Sequence, residues 1–285
     1  MRLGRRSWIA LCALVVLSAL LTLWAVVLEP DRLVVERVTV ALPGWPSALD
    51  GLTVAAVSDI HAGAPHVDLA KVRRVVDTVN AARPDVIVLL GDYVIQGVPG
   101  GTFIPPEATA AELARLHARL GLAAVLGNHD WWLDARRVRA ALESRGLPVL
   151  ENQAAPYGSG AGRFWIAGVT DAWTKEYDIG GTLAQVPVDA PVLLITHNPD
   201  LFPYVPARVA LTLAGHTHGG QVRLPLLGRP IVPSEYGQRF AAGLVRENGH
   251  ALFVTTGIGT SIIPVRFRVP PAISLLTLRS APAGP

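Results

Sequence analysis

Apolar residues in this chain fall in dense runs, and most of the later runs end in a polar motif. The first run is the longest: residues 7–28 hold no charged side chain. About 20 apolar residues let a helix cross a bilayer core, so this run predicts a transmembrane helix. Residues 33–40 are rich in Val and are closed by Pro43, Gly44 and Pro46, which predicts one edge strand inside a connection over 29–50. Residues 53–57, 86–90 and 123–126 predict buried strands. The spacing of Leu69, Val72, Val75, Val76 and Val79 predicts a helix over 68–82, and further helices are expected over 108–120 and 134–144. Beyond these the chain reads mostly as strands, at 164–169, 192–196, 211–214, 252–256 and 273–278. Strand–helix–strand units followed by strands indicate an α/β layered domain over 51–285.

The polar motifs fall where such strands end. Ser58-Asp59-Ile60-His61 follows the first buried strand, Gly91-Asp92 the second and Gly127-Asn128-His129-Asp130 the third. His197 ends the run 192–196, and Gly215-His216-Thr217-His218-Gly219-Gly220-Gln221 follows 211–214. Ligands of α/β sheets gather at the carboxyl ends of strands. Imidazole nitrogen and carboxylate oxygen together suit Mn, Fe and Zn. Asp59 and His61 are close enough in sequence for one turn to aim both at one ion. His216 and His218 share that spacing, with glycines beside them that let the backbone approach closely. The Asp92 carboxylate can bridge two ions, and Asn128 adds a neutral amide oxygen. Two such ions polarise a phosphoryl group and generate hydroxide near neutral pH. His129 is then placed to protonate the leaving oxygen as a general acid, with Asp130 to orient it.

In this order the blocks resemble the calcineurin-like metallophosphoesterases, over residues 52–278. The resemblance implies a four-layer αββα sandwich of α/β class around a dinuclear metal centre. It implies Asp59, His61, Asp92 and His218 on one ion, and Asp92, Asn128, His197 and His216 on the other. Asp92 would be the bridge and His129 the catalytic histidine. The N-terminal apolar run, the Gly-Gly-Gln extension, Gly257-Ile258-Gly259-Thr260-Ser261 and Pro264-Val265-Arg266-Phe267 are similar to the membrane-associated bacterial phosphodiesterases. That branch includes UDP-diacylglucosamine pyrophosphatases. It reads Pro-Glu-Ile where this chain has Pro271-Ala272-Ile273. The expected activity is hydrolysis of a phosphodiester or pyrophosphate, lipid-linked in the favoured case, with two divalent ions of Mn, Fe or Zn. A phosphomonoesterase, a nuclease on the same fold and a non-catalytic metal-binding scaffold are the alternatives.

Charge and composition separate these readings. Lys+Arg 25 against Asp+Glu 22 leaves a net charge of +3, and no basic block lies beyond the N-terminus, so a nuclease lacks its expected phosphate track. Nucleic acid is not an expected partner, and no protein partner is implied. The unbroken ligand set and His129 count against a scaffold. Cys12 is the single cysteine, so no internal disulfide forms. Arg2, Arg5 and Arg6 precede the apolar run, which would hold the N-terminus in the cytoplasm and the catalytic domain outside. The run exceeds the ~7–15 apolar residues of a signal peptide and ends without an Ala-x-Ala site. A retained single-pass anchor over 1–28 is therefore expected rather than a cleaved signal. Arg5-Arg6 also matches part of a twin-arginine export signal. Arg266 and Trp131 are candidate substrate contacts. For Arg266 a surface ion pair is the equal alternative, and core packing takes at least one of Trp131 and Trp132. Trp131, Trp132 and Leu133 together offer an apolar wall for an acyl chain or ring. Asp171 either lines the site or shapes a turn.

Overall fold

A computed structural model describes residues 4–174, 176–247 and 249–282; Arg2 of the basic tail lies outside them. Helix α1 (Arg5–Leu23) passes through a π turn (Trp24–Leu28) into α2 (Glu29–Asp31). Among the described residues this is the one helix long and apolar enough to cross a membrane, and α1 buries none of its side chains. Its foot docks on the rest of the chain. Ala25 O accepts from Arg266 N at 2.9 Å, and Val26 O meets His66 Nε2 at 2.8 Å. Lys71 Nζ donates to the carbonyls of Asp31 and Arg32.

β1 (Val34–Pro43), β2 (Thr53–Val57), β3 (Val86–Leu89), β4 (Leu122–Ala124) and β11 (Ala272–Ala281) form one sheet, ordered β1-β11-β2-β3-β4. β5 (Gln153–Tyr157), β6 (Phe164–Val169), β7 (Val192–Thr196), β8 (Leu211–Ala214), β9 (Gly243–Glu247) and β10 (His250–Val254) form the other, ordered β5-β6-β7-β8-β10-β9. Side chains of a strand alternate between its faces. Val54, Ala56, Val86 and Val88 accordingly pack with Ile166, Leu193 and Ile195 between the sheets. Their neighbours Ala55, Val57, Ile87 and Leu89 pack under α3 (Leu69–Ala82), α4 (Pro106–Leu113) and α5 (Asn128–Glu143). Ala167, Val192 and Leu194 pack with α6 (Ile179–Ala184) and the 3-10 turn Pro199–Tyr204. The layers are helix, sheet, sheet, helix. A strand with two apolar faces reads as a continuous apolar run.

Three helix boundaries depart from the sequence pattern. α3 follows it closely, because Asp68 caps the helix by accepting from Lys71 N at 2.8 Å. α4 starts at Pro106 and stops at Leu113, well short of residue 120. Asn80 of α3 takes the backbone there, donating to Arg115 O and accepting from His117 N. That side chain competes with the helical bonds and ends the helix. α5 starts at Asn128 rather than residue 134, and Asp134 is extended (φ −178°), so two helical pieces meet there. The early turn is nucleated by Asp130, which accepts from Gly127 N at 2.9 Å.

Candidate metal centre

The loops after β2, β3, β4, β7 and β8 meet at one end of the two sheets, and hydrogen bonds continue past the strand ends to hold them there. Asp59 N donates to Gly91 O and His61 N to Asp92 O, each at 3.0 Å. The sheets are tied across this end as well. His216 N donates to the Asp59 carboxylate at 3.1 Å, and Ile258 N donates to Ser58 O at 3.1 Å. A Cβ on Gly215 would come within 1.9 Å of Ser58 Oγ and 2.6 Å of Asp59 Oδ2, so only glycine fits between the two loops. Asp59, His61, Asp92, His216 and His218 all take positive φ, between 48° and 69°. Non-glycine residues avoid this conformation unless their surroundings enforce it.

All seven expected ligands come together and are buried. His61 Nδ1 donates to Val94 O at 3.1 Å and His197 Nδ1 donates to Leu90 O at 2.7 Å. A carbonyl only accepts, so Nδ1 carries the proton in both neutral rings and Nε2 presents a lone pair. The His61 lone pair faces His218 Nε2 at 3.1 Å and Asp92 Oδ2 at 3.5 Å. His218 Nε2 lies 3.4 Å from Asp59 Oδ1. The His197 lone pair faces Asp92 Oδ2, Asn128 Oδ1 and His216 Nδ1, each at 3.2 Å. Two clusters of acceptors therefore share one carboxylate oxygen, that of Asp92.

Such a set demands positive charge at its centre. Burial works against a charged His197, yet Asp92, with Asp59 and Asp171 beyond it, holds that imidazole well above its usual range. Burial pushes Asp92 up, and His197, His61 and His129 outweigh it, so its carboxyl sits well below the usual range. Burial lowers His61 and His216 to about 3, which keeps them neutral. Divalent cations answer the same demand for every donor at once, so these residues fit metal ions.

The remaining expected site residues divide. His129 stands beside the clusters: its N–H donates to Asp92 Oδ1 at 2.9 Å, and its ring meets His61 edge-on at 4.8 Å. Burial lowers its imidazole, with Asp92 working the other way. Asp130 does not orient it. Its carboxylate accepts from the N–H groups of Asp92, Tyr93 and Gly127, which braces the loop that carries Asp92. His129 Nδ1 has no hydrogen-bond partner among the described residues. Arg266 is corrected too. It is wholly buried, and its guanidinium donates to the carbonyls of Gly259, Val269 and Thr256, so it shapes a loop and cannot reach a substrate. Trp131 packs against the helix-side core. Its neighbour Trp132 stands in the cavity above the ligands, stacked at 5.6 Å on Trp173.

Sequence reasoning missed Trp173, although it follows Thr170-Asp171 at the end of an apolar run. Asp171 takes the turn role: it accepts from Trp173 N at 3.1 Å and so presents that ring to His216, 4.6 Å away. The cavity over the ligands measures about 640 Å³ and is walled by Trp132, Trp173, Val98, Ile231, Ile262 and Ile263.

The profile of the calcineurin-like phosphoesterase family matches residues 52–220, a span that holds every candidate ligand. The chain is 30% identical over 257 residues to the uncharacterised metallophosphoesterase YkuE of Bacillus subtilis (strain 168), covering 89% of this chain and 88% of that protein. It is 32% identical over 205 residues to the phosphodiesterase YaeI of Escherichia coli (strain K12), covering 69% and 71%. It is 27% identical over 313 residues to the UDP-2,3-diacylglucosamine pyrophosphatase LpxG of Chlamydia trachomatis serovar D, covering 89% and 91%.

Proposed function

Because the chain belongs to the calcineurin-like phosphoesterases and is a hydrolase of phosphoester bonds, we propose that it cleaves a phosphodiester or pyrophosphate bearing an apolar group. On this reading Asp59, His61, Asp92 and His218 hold one divalent ion, and Asp92, Asn128, His197 and His216 hold a second. The observation that carries it is the position of Asp92 Oδ2, 3.5 Å from His61 Nε2 and 3.2 Å from His197 Nε2. Bound Mn, Fe or Zn ions polarise a phosphoryl oxygen and lower the pKa of water.

The rest is the work of the chain. The carbonyls of Val94 and Leu90 fix the His61 and His197 tautomers. Asp130 holds the Asp92 loop still. His129 donates a proton to the leaving oxygen. Burial favours its neutral ring, and the negative charge of a bound phosphoryl group favours the protonated ring needed for that step. The apolar cavity wall suits an acyl chain or a ring. Two relatives whose names specify a phosphodiesterase and a diacylglucosamine pyrophosphatase support that substrate class. On this reading α1 is a retained anchor, and Arg5 and Arg6 in its first turn favour a catalytic domain outside the cytoplasm.

The test uses the full chain in detergent, stripped by a chelator and reloaded with single metals. Hydrolysis of a lipid-linked diester is compared with that of its deacylated analogue. Metal-dependent cleavage that favours the lipid-linked compound is expected. Equal or faster cleavage of the deacylated compound overturns the apolar preference, and undiminished activity after chelation overturns the metal assignment.

A further inference from the structure

Leu226, Leu227, Ile231, Ile262 and Ile263 point outward from two loops, each at least half exposed and Leu226 completely so. Scattered exposed leucines are ordinary, whereas a group of this size beside a cavity marks a contact surface. Ile231, Ile262 and Ile263 border the catalytic cavity. A backbone bridge between Leu224 and Gly228 sets Leu226 and Leu227 at the tip of a tight turn on the first loop.

The two loops form one body. Gln221 Nε2 donates to Ile263 O at 3.1 Å, Ser261 N donates to Gln221 Oε1 at 2.7 Å, and Arg223 N donates to Phe267 O at 2.9 Å. That body is joined to the foot of the membrane helix by the bond from Arg266 N to Ala25 O. Ile262 is four residues from Arg266, so at most ~14 Å of extended chain separates them. The apolar loops therefore continue the bare apolar surface of α1. Exposed arginines flank them in sequence: Arg32 follows the helix, Arg223 precedes the turn and Arg268 follows the second loop. Basic side chains around outward apolar ones match a lipid–water boundary, with anionic headgroups above acyl chains.

We infer that these two loops insert into the leaflet next to the catalytic domain, so that the cavity opens at the lipid–water boundary. The occupant of the surface is the bilayer itself. The inference rests on α1 as a retained membrane span, and it gives an acylated phosphoester a direct route to His129 and the ligands.

The experiment uses the full chain in phosphatidylcholine vesicles containing phosphatidylglycerol, on a Cys12→Ser background. Nitroxide labels are placed singly at Leu226→Cys and Ile262→Cys. Leu17→Cys in α1 is the membrane reference, and Val188→Cys, 81% exposed and shortly before β7 at the far end of the strands, is the aqueous reference. Collision with oxygen and with a water-soluble nickel chelate is read by power saturation. Labels at 226 and 262 should show several-fold less nickel collision than the label at 188 and more oxygen collision. If they match 188 while the label at 17 is lipid-buried, the loop inference fails and the anchor stands; a surface built for a protein partner gives this result. If the label at 17 is itself aqueous, the anchor and the inference fail together.

Discussion

Asp92 and Trp132 border the same cavity, yet Asp92 is 1% exposed and Trp132 is 59% exposed. The floor to which Asp92 belongs is fixed from every side. Five of its residues, Asp59, His61, Asp92, His216 and His218, hold left-handed backbone conformations, its loops are bonded to one another, and the glycine behind them leaves no spare volume. The rim to which Trp132 belongs is made of exposed rings, on the first turns of α5 and on the 3-10 turn at Trp173, and of aliphatic side chains on loops, with Trp132 and Trp173 stacked on each other. Chemistry needs donors held within fractions of an ångström, and over-determined backbone provides that. A recognition surface gains from side chains that can be exchanged without disturbing the floor. Substitutions in the floor should therefore abolish turnover on any substrate, and substitutions in the rim should alter which substrate is preferred.

The largest effect among side chains beside the floor is expected at His129. General acid catalysis contributes ~10²–10⁴-fold, so His129→Ala should lower kcat by that order while metal content stays near the wild-type value. The deficit should shrink on nitrophenyl esters, whose leaving group needs little protonation. A loss of the same size on good and poor leaving groups contradicts the acid role.

Gly215→Ala probes the floor through its packing. The added methyl would meet Ser58 Oγ and the Asp59 carboxylate. Overpacking of this kind costs ~1–3 kcal/mol, so calorimetry should show a lower unfolding temperature and elemental analysis a partial loss of metal. Unchanged stability together with full metal loading shows that the two loops are looser than described.

The floor was legible in the sequence and the rim only in part, for a physical reason. Asp59, His61, Asp92, Asn128, His197, His216 and His218 each follow a dense apolar run, and a polar residue at the end of a buried strand has few other uses in such number. Trp132 was expected in the apolar wall with Trp131, but an exposed ring and a core ring look alike in sequence, so the pattern did not tell which of the two faces the cavity; Trp131 packs against the core, and Trp173 carries no mark at all. The elements that went unseen are the weakly patterned ones. β5 and β9 are the edge strands of the second sheet, β5 carrying Pro156 and β9 only half-buried, so neither gives a strong apolar run. α6 is six residues long with Gly180 and Gly181 inside it, which no helix-propensity pattern reveals. Arg266 and Asp130 were seen as chemistry, but their hydrogen-bonding capacity is occupied by main-chain groups, and only coordinates show where such groups lie.

The smallest effect belongs to the rim. Trp173→Ala removes one partner of the stacked pair, and aromatic pairs contribute ~0.5–1.5 kcal/mol, equivalent to about 2- to 10-fold. The change should appear in KM for a lipid-linked diester, leaving kcat on a small nitrophenyl diester near the wild-type value. A fall in kcat on both compounds assigns Trp173 to the floor and erases the contrast.

Metal stoichiometry of the full chain and of Asp92→Ala, measured by elemental analysis after equilibration with Mn or Zn, goes straight to the shared carboxylate. The wild-type chain should hold two ions, and Asp92→Ala should lose occupancy at both positions, because its Oδ2 sits between both clusters. Full loading with two ions in Asp92→Ala would contradict the bridge assigned to Asp92, and a single ion in the wild-type chain would contradict the dinuclear centre on which the proposed reaction depends.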